Sequence, residues 1–324
     1  MSVISSTTTT YMSSPPTTKE KETFDNIGIS TETIIGKTNC KINIVDLFQI
    51  LPVTEYTVVP KKRGRRPKDE KKVETQILND GDIITLKIGD RARGVDLKMK
   101  KSKSENYFRN SITIVMSCDG KLINFKISKN GKFQFTGCKN DSHSQRCLEY
   151  VIGYIDAYNT SSVANHKKIL TLPPQTNFEV IYLTVMANIN FSLGFCVNKE
   201  NLDDYVNKNT RYYSLLETTF GYTGVNIKIP LPNLNNIPIT KMTLDRVTNA
   251  WAKEDMSYDQ YISLLDDKEK TKERGKTRYN TFLVFQSGNV ILSSPHKECM
   301  RDTYHEFLRI IHTCRDVIEE KISK

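Results

Sequence analysis

The sequence predicts an α+β fold in which two pseudo-symmetric repeats form one curved antiparallel sheet, with helices on the convex face. Three observations predict it. A strand, a short helix, several strands and a long helix occur in the same order twice. The dipeptides Asp119-Gly120 and Asn130-Gly131 join apolar runs, which favours antiparallel hairpins. Each repeat also ends in a segment whose apolar residues recur at helical spacing.

The two repeats are related by a constant spacing along the chain. Gly131 and Gly288 are 157 residues apart, and so are Glu149 and Glu306. In the first strand of each repeat, Cys40 aligns with Phe191 at a spacing of 151. A spacing that holds over strand, turn and helix indicates a duplicated unit. Two such units form one sheet, with helices on one face and the other face open.

The elements of the first repeat follow from local patterns. A β-branched region predicts a strand within 27–44, and Asn43 is a suitable N-cap for a short helix that ends before Pro52. An added strand pair is expected within 81–100. Three further strands are predicted at 111–117, 121–128 and 132–137, before a helix that starts near Ser142.

The second repeat reads in the same way. A strand region at 180–195 precedes a short helix that Asn198 would cap. Strands are predicted at 225–229, 281–286 and 290–292. Ser294-Pro295 then predicts the start of the final helix, as an N-cap followed by a first-turn proline.

The domain organisation follows from these elements and from composition. Residues 1–26 are rich in Ser, Thr, Pro, Lys and Glu, which predicts a disordered tail. The expected order is the tail at 1–26, repeat 1 at 27–160 with a basic insertion at about 57–107, a linker at 161–173, and repeat 2 at 174–320 with an insertion at about 231–279. The second insertion holds the single Trp251. It is either a helical surface elaboration or a docking surface for another protein.

Composition narrows the function classes. The 324 residues carry a formal net charge of +10, which favours a polyanionic partner such as nucleic acid. No apolar run approaches the roughly 20 residues of a membrane-spanning helix, and secretion is not expected. Seven cysteines without a Cys-x-x-Cys pattern indicate reduced thiols and not a disulfide framework or a zinc ribbon. Since no catalytic or nucleotide-binding motif is present, we expect neither an enzyme nor a cofactor.

Strand alternation predicts which side chains face away from the helices. In the first repeat Phe133 and Phe135 point inward, whereas Lys132, Gln134 and Thr136 point outward. In the second repeat the outward residues are Asn289, Ile291 and Ser293. This face is either a groove for a ligand or an ordinary solvated surface.

Phe285 is an aromatic residue on this otherwise polar face. It has the same parity as Asn289 and Ser293 and lies near a strand end. It is either a wedge that enters DNA base steps or a phenylalanine packed under a neighbouring loop.

The repeated motifs resemble those of the TATA-box-binding protein family, in a divergent form like those carried by large DNA viruses. The first repeat reads NGKFQFTGCK, the second reads FQSGNVILSSPHK, and TNCKINIVDLF resembles the family's first strand and helix. The resemblance covers most of 27–160 and 174–318. It implies a saddle-shaped molecule that binds DNA through its open sheet face.

The resemblance also implies roles for individual residues. The DNA wedges would be Phe285, its partner Tyr222 with Phe220 as the rival, and in repeat 1 the region of Ser111 with Phe108 nearby, and Ile127. Base edges would be contacted by Thr136 and Ser293, together with Gln134, Asn289 and Ile291, and phosphates by Lys132, Lys139, Lys228 and Lys297. The family's paired central asparagines fall at about Thr31 and Tyr182, which argues against a strict TATA preference.

The basic insertion contains a segment that resembles an AT-hook. Its core is Arg63, Gly64, Arg65, Arg66 and Pro67, in which Arg66 separates the usual Arg-Gly-Arg from the proline. The same run also reads as a nuclear-localisation signal or as a solvated linker.

The expected function is that of a promoter-recognition transcription initiation factor. It would bind and bend A·T-rich double-stranded DNA through the minor groove, as a monomer, and contact a factor-IIB-like protein and RNA polymerase. The expected location is the nucleus, a cytoplasmic viral factory or the virion. The alternatives are an accessory nucleic-acid-binding module and a protein-only scaffold without promoter specificity.

Overall fold

The computed structural model describes residues 23–57, 76–95, 110–161, 168–216, 223–231, 234, 237–245 and 247–320. The strands are β1 (Ile29–Thr38), β2 (Lys41–Ile42), β3 (Ile83–Ile88), β4 (Arg91–Gly94), β5 (Ser111–Cys118), β6 (Lys121–Ser128), β7 (Lys132–Cys138), β8 (Leu170–Thr171), β9 (Phe178–Ser192), β10 (Tyr213–Leu216), β11 (Gly224–Pro230), β12 (Ile239–Asp245), β13 (Ala250–Met256), β14 (Tyr279–Phe285) and β15 (Asn289–Ser294). The α-helices are α1 (Ile44–Ile50), α2 (Asp141–Thr160), α3 (Lys199–Asn209), α4 (Tyr258–Ser263), α5 (Asp267–Arg274), α6 (Arg301–Thr313) and α7 (Arg315–Ile318).

One antiparallel sheet dominates the described part of the chain. Its 13 strands run in the order β10-β11-β14-β15-β9-β1-β7-β6-β5-β3-β4, with the β12–β13 hairpin attached to the free part of β9. The short strands β2 and β8 form a separate pair. The predicted α+β class with one large antiparallel sheet is confirmed.

The two repeats occupy equivalent halves of this sheet. The Thr38 N–H donates to the Gly131 carbonyl at 3.1 Å, and the Leu193 N–H donates to the Gly288 carbonyl at 2.9 Å. These matching bonds give a spacing of 157 at the hairpin, as predicted. In the first strand they give 155, since Thr38 is equivalent to Leu193, so the predicted spacing of 151 is wrong.

The pseudo-two-fold axis passes through the centre of the sheet. Glu32 pairs with Ala187 across β1 and β9, and these two residues are themselves 155 apart. Each residue of this pair is therefore the other's equivalent. The strands to either side follow in matching order, with β7, β6, β5 and β3 in repeat 1 and β15, β14, β11 and β10 in repeat 2. Strand β3, which was assigned to the basic insertion, takes the place that β10 has in the second half.

Two asparagines begin equivalent helices in the two halves. The side chain of Asn43 accepts from the Val45 and Asp46 N–H groups at the start of α1. The side chain of Asn198 accepts from the Asn201 N–H at the start of α3. Both predicted caps are confirmed, because each satisfies amides that the first helical turn leaves free.

The final helix begins later than predicted. Ser294 ends β15, and the chain then forms a 3₁₀ turn at Lys297–Cys299 that the His296 side chain caps. Helix α6 starts only at Arg301. The predicted N-cap at Ser294-Pro295 is therefore wrong.

Helices α1, α2, α3 and α6 pack on one face of the sheet. In the first half, Phe125, Phe133 and Phe135 are buried with residues of α1 and α2. In the second half, the Phe282 ring stacks on Phe307 of α6 with ring centroids 4.2 Å apart. Aromatic pairs of this kind dominate core energetics. The strand residues of opposite parity are left on the other face.

The described chain is ordered upstream of the predicted tail boundary. Residues Phe24–Asn26 form a 3₁₀ turn, and the Phe24 ring packs against Tyr304 with centroids 5.2 Å apart. Phe24 is only 4% exposed. The predicted disordered tail at 1–26 is therefore too long by at least these residues.

The insertion at about 231–279 adds strands as well as helices. The β12–β13 hairpin extends the sheet beside β9, and Trp251 of β13 meets Phe178 of β9 edge-on with centroids 6.0 Å apart. Helices α4 and α5 follow the hairpin. Within the described residues, no helix has the length and hydropathy needed to cross a membrane.

Candidate nucleic-acid interface

The sheet face opposite helices α1, α2, α3 and α6 is the candidate interface, and we call it the open face. Along each strand, the residues of the open face alternate with the buried residues of the core. Its members include Thr33, Ile35 and Lys37 of β1; Lys126 and Ser128 of β6; Lys132, Gln134 and Thr136 of β7; Ile181, Leu183, Met186 and Asn188 of β9; Asn226 and Lys228 of β11; Thr281, Leu283 and Phe285 of β14; and Asn289, Ile291 and Ser293 of β15.

All five predicted base-edge residues lie on the open face. Gln134 and Asn289 are exposed, and Thr136, Ile291 and Ser293 are half-buried. Thr136 lies opposite Thr33 in β1, and Ser293 lies opposite Asn188 in β9. The centre of the open face therefore carries hydroxyl and amide groups from both repeats.

Two open-face asparagines have unsatisfied side-chain oxygens. The Oδ1 atoms of Asn188 and Asn226 are buried and have no hydrogen-bond partner among the residues that the structure describes. A buried acceptor without a partner costs free energy. Both oxygens are therefore points of unfavourable energy just beneath this face.

Phe285 occupies the wedge position predicted in the second repeat. It lies at the end of β14 opposite Gly224, on the open face, and is half-buried. A Cβ atom on Gly224 would come within 2.8 Å of Leu283 Cδ1 and 3.0 Å of the Val284 carbonyl oxygen, so a larger residue beside Phe285 would displace its neighbours. The predicted partners Tyr222 and Phe220 lie outside the described residues.

The first repeat has no matching aromatic residue at the equivalent position. The Gly131 N–H donates to the Ser128 carbonyl as the Gly288 N–H donates to the Phe285 carbonyl, which makes Ser128 the equivalent of Phe285. The two turns therefore have the same length. The predicted wedge Ile127 is wrong, because it is fully buried on the helix-covered face. Ser111 lies opposite Ser128 at the same end, and Phe108 lies outside the described residues.

Three of the four predicted phosphate lysines are exposed. Lys132 and Lys228 lie on the open face, and Lys139 follows the end of β7. The Lys228 ammonium is 5.9 Å from the centroid of the Tyr279 ring. The predicted AT-hook residues 63–67 lie outside the described part of the chain.

Lys297 is held on the helix side and is not a phosphate contact. Its ammonium donates to the Ile27 carbonyl at 2.7 Å and lies 5.5 Å from the centroid of the Phe24 ring. At the spacing of 157, the equivalent of Lys139 is His296. The prediction for Lys297 is therefore wrong by one position.

The alignment of the central residues also changes. Tyr182, assigned to a central asparagine position, is buried in the helix-side core. The spacing of 155 instead pairs Thr31 with Met186, which is 38% exposed. A threonine and a methionine thus stand where the family resemblance implies asparagines.

Sequence reasoning missed Lys37 and Lys126 on the open face. Lys37 lies opposite Lys132, and Lys126 lies opposite Gln134. The signal was present in β1, where Ile34 and Gly36 are buried and Ile35 and Lys37 alternate with them. The strand was read for its β-branched content alone.

A buried carboxyl group lies on the helix side of the sheet centre. Glu32 is 3% exposed, and burial together with the charge of Asp141 raises its pKa to about 7.

The seven cysteines are free, and burial raises the pKa of the Cys138 thiol to about 12. No cluster of side chains able to hold a metal ion occurs in the described segments.

Comparison with known proteins supports the resemblance. The chain is 29% identical over 173 residues to a TATA-box-binding protein-like protein of Acanthamoeba polyphaga mimivirus, and the match covers 47% of each chain. The chain is similar to TATA-box-binding proteins. The predicted resemblance to a divergent viral form is confirmed by this relative. The match spans about half the length of the mimivirus protein.

The chain is also similar to two other proteins. The chain is 26% identical over 295 residues to the uncharacterized protein 335L of Invertebrate iridescent virus 6, covering 89% of this chain and 84% of that protein. Among solved structures, Methanococcus jannaschii TBP matches with a TM-score of 0.41 and 13% identity, covering 89% of this chain and 98% of that one. No protein-family model matches the chain.

Proposed function

We propose that this protein is a non-enzymatic promoter-recognition factor that binds and bends A·T-rich DNA through its open face. The observation that carries the proposal is the sheet face that helices α1, α2, α3 and α6 leave uncovered in both repeats. Its centre presents hydroxyl and amide groups, its sides present lysines, and one end presents Phe285. The similarity to the mimivirus TATA-box-binding protein-like protein supports the same reading.

The chemistry of the open face suits the minor groove. That groove offers mainly acceptors at A·T pairs, so it distinguishes A·T from G·C but little else. The Ser293 hydroxyl can donate to such acceptors. The Thr136 hydroxyl donates to the Asn124 carbonyl at 2.9 Å and would exchange that bond for one to the DNA. Further specificity would come from how easily a sequence bends, while Lys132 and Lys228 would contact phosphates.

The bend is expected to be asymmetric. An apolar wedge unstacks a base step, which costs a few kcal/mol, and the bent duplex then contacts more protein surface. Phe285 supplies such a wedge in the second repeat, whereas Ser128 stands at the equivalent position in the first. The sharper kink would therefore lie at the end of the duplex bound by repeat 2.

The test is binding of short A·T-rich and G·C-rich duplexes over a salt series, with bending followed by energy transfer between end labels. We expect tighter binding of the A·T-rich duplex, a steep salt dependence, and a bend. Phe285→Ala should reduce the bend more than the salt dependence. Tyr279→Ala removes another open-face aromatic away from the wedge position and serves as its control.

The opposite result would favour a different function. Equal binding of both duplexes without bending would indicate an accessory nucleic-acid-binding module, and no binding would indicate a protein-only scaffold. Ser128, which stands where a second wedge would be expected, is the observation that favours the protein-only scaffold as the second candidate.

Under the leading proposal the protein acts as a monomer in a nucleus or viral factory. Its helix side and insertion would then contact a factor-IIB-like protein and RNA polymerase.

A further inference from the structure

The second insertion covers part of the open face. Ile181 and Leu183 of β9 belong to the open face, and both pack in an apolar cluster with Ile239, Tyr258 and Tyr261. Tyr258 and Tyr261 both lie in α4. The insertion therefore lies against one side of the sheet surface that the proposed function assigns to DNA.

Glu269 of helix α5, in this insertion, forms an ion pair with the open-face residue Lys37. Lys37 Nζ donates to Glu269 Oε2 at 2.5 Å. The helix is anchored at both ends: Asp266 caps its first turn, and Glu273 accepts from Tyr258 Oη at 3.3 Å and pairs with Arg278. The position of Glu269 over the sheet is thus set by the fold of the insertion.

Lys37 and Lys132 form a pair of like charges on the open face. They are register partners in β1 and β7, so their Cβ atoms are about 5 Å apart. Two adjacent ammonium groups repel each other and favour a bound anion. The equivalents of these lysines in the second repeat are Ser192 and Asn289, which are neutral, so the charged pair belongs to repeat 1 alone.

We propose that Lys37 and Lys132 form a phosphate-binding site on the open face, and that Glu269 occupies this site until a DNA phosphate displaces it. The inference rests on the proposed function, which it extends to the residues that hold one phosphate of the duplex. A carboxylate and a phosphodiester are both oxyanions, and both accept hydrogen bonds from an ammonium group.

The ion pair is of a kind that a ligand can displace. The side chains of Lys37 and Glu269 are 40% and 45% exposed, so water and salt reach the contact. Exposed pairs of this kind contribute little to stability. Exchange of the carboxylate for a phosphate therefore needs no unfolding of the insertion.

The experiment compares Glu269→Gln with the wild type in binding a 20-bp A·T-rich duplex by fluorescence anisotropy over a salt series. Removing the competing carboxylate should tighten binding by about three- to fivefold at low salt. Asp267→Asn is the matched control, because it makes the same charge change on the same helix. The Asp267 side chain is fully exposed, and its carboxylate lies 3.8 Å from the Lys270 ammonium.

The second arm tests Lys37 directly. Lys37→Gln should weaken binding and reduce the slope of log affinity against log salt by about 0.9, the value for one lost phosphate contact. In the Lys37→Gln background, Glu269→Gln should have a clearly smaller effect, since the carboxylate has then lost its ion-pair partner. Circular dichroism checks that the variants keep the wild-type fold.

The outcomes separate this inference from the proposed function. If the wild type binds DNA and Glu269→Gln binds no more tightly than Asp267→Asn, the inference alone is overturned. If Glu269→Gln acts equally with and without Lys37, the effect is one of net charge, and the inference is again overturned. If neither the wild type nor Glu269→Gln binds any duplex at low salt, both proposals fail.

Discussion

The buried carboxyl group of Glu32 predicts how the stability of the protein changes with pH, and by how much. This group lies on the helix side of the sheet centre, next to the pseudo-two-fold axis, and is almost fully buried. Burial, with a smaller contribution from the negative charge of Asp141, raises its pKa from 4.5 to about 7. The folded protein therefore holds a proton that the unfolded chain releases over this range.

The sign and size of the effect follow from proton linkage. Between pH 4.5 and pH 7 the folded state binds more protons at Glu32 than the unfolded state, so the free energy of unfolding falls as pH rises. Each pH unit in that window lowers the free energy of unfolding by about 1.4 kcal/mol. The contribution of Glu32 is thus complete below pH 4.5, and about 3 kcal/mol of it is lost above pH 7.

Glu32→Gln removes this loss because glutamine does not ionise. The assay is urea unfolding of the wild type and the variant from pH 4 to pH 8. Relative to the wild type, the variant should gain about 3 kcal/mol between the two ends of this range. His143 and His296, whose pKa values are lowered by burial, titrate in both proteins, so the difference between the two curves isolates Glu32.

Parallel curves for the two proteins would refute the reasoning. They would mean that water or a rearranged partner stabilises the charged form of Glu32. Glu200→Gln, at the exposed first turn of α3, is the control that removes a carboxylate from the surface. It should leave the pH dependence of unfolding as in the wild type.

Two further predictions concern the turn and the core. Gly131→Ala should destabilise the fold by more than 2 kcal/mol in urea unfolding, because φ is +69° and the new Cβ would lie 2.2 Å from the Cys40 carbonyl oxygen. Gly120→Ala, at φ +67° with nothing within 4 Å, should cost only about 1 kcal/mol, and equal losses would contradict the argument. Phe307→Ala should cost about 3–5 kcal/mol in the same assay, and a loss below 1 kcal/mol would show that its stack on Phe282 is unimportant.

The open face was predictable because a strand has a period of two. Phe133 and Phe135 alternate with polar residues, so the sequence alone places Gln134 and Thr136 on the opposite face, where the structure has them. The same argument placed Phe285 correctly. Patterns of this kind need only local information.

The errors concerned the repeat spacing and the turn length, which the alternation of side chains along a strand does not determine. An error of four residues in the first-strand spacing keeps every side chain on its correct face, so the burial pattern did not reveal that 151 should be 155. An error of one residue has the opposite effect, because it moves each side chain to the other face. Ile127 lies one residue before Ser128, and that single step exchanges an open-face serine for a core residue.

Other features depend on contacts between distant parts of the chain. Lys297 is held by the Ile27 carbonyl, which is 270 residues away in sequence. Glu269 meets Lys37 across 232 residues. The charged sequence of α5 resembles any solvated helix, and nothing in its local pattern indicates that it lies on the open face.

The differences between the two halves bear on how the protein would be oriented on DNA. A symmetric saddle binds a duplex equally well in either direction, since rotation about the pseudo-two-fold axis exchanges equivalent contacts. Here the exchange would replace Phe285 by Ser128 and would place the lysine pair of repeat 1 where repeat 2 has Ser192 and Asn289. On the proposed function, repeat 2 therefore bends its end of the duplex while repeat 1 binds phosphate at the other. Because bending depends on base sequence and phosphate binding does not, the more deformable end of a site should face repeat 2, which gives the bound protein a direction.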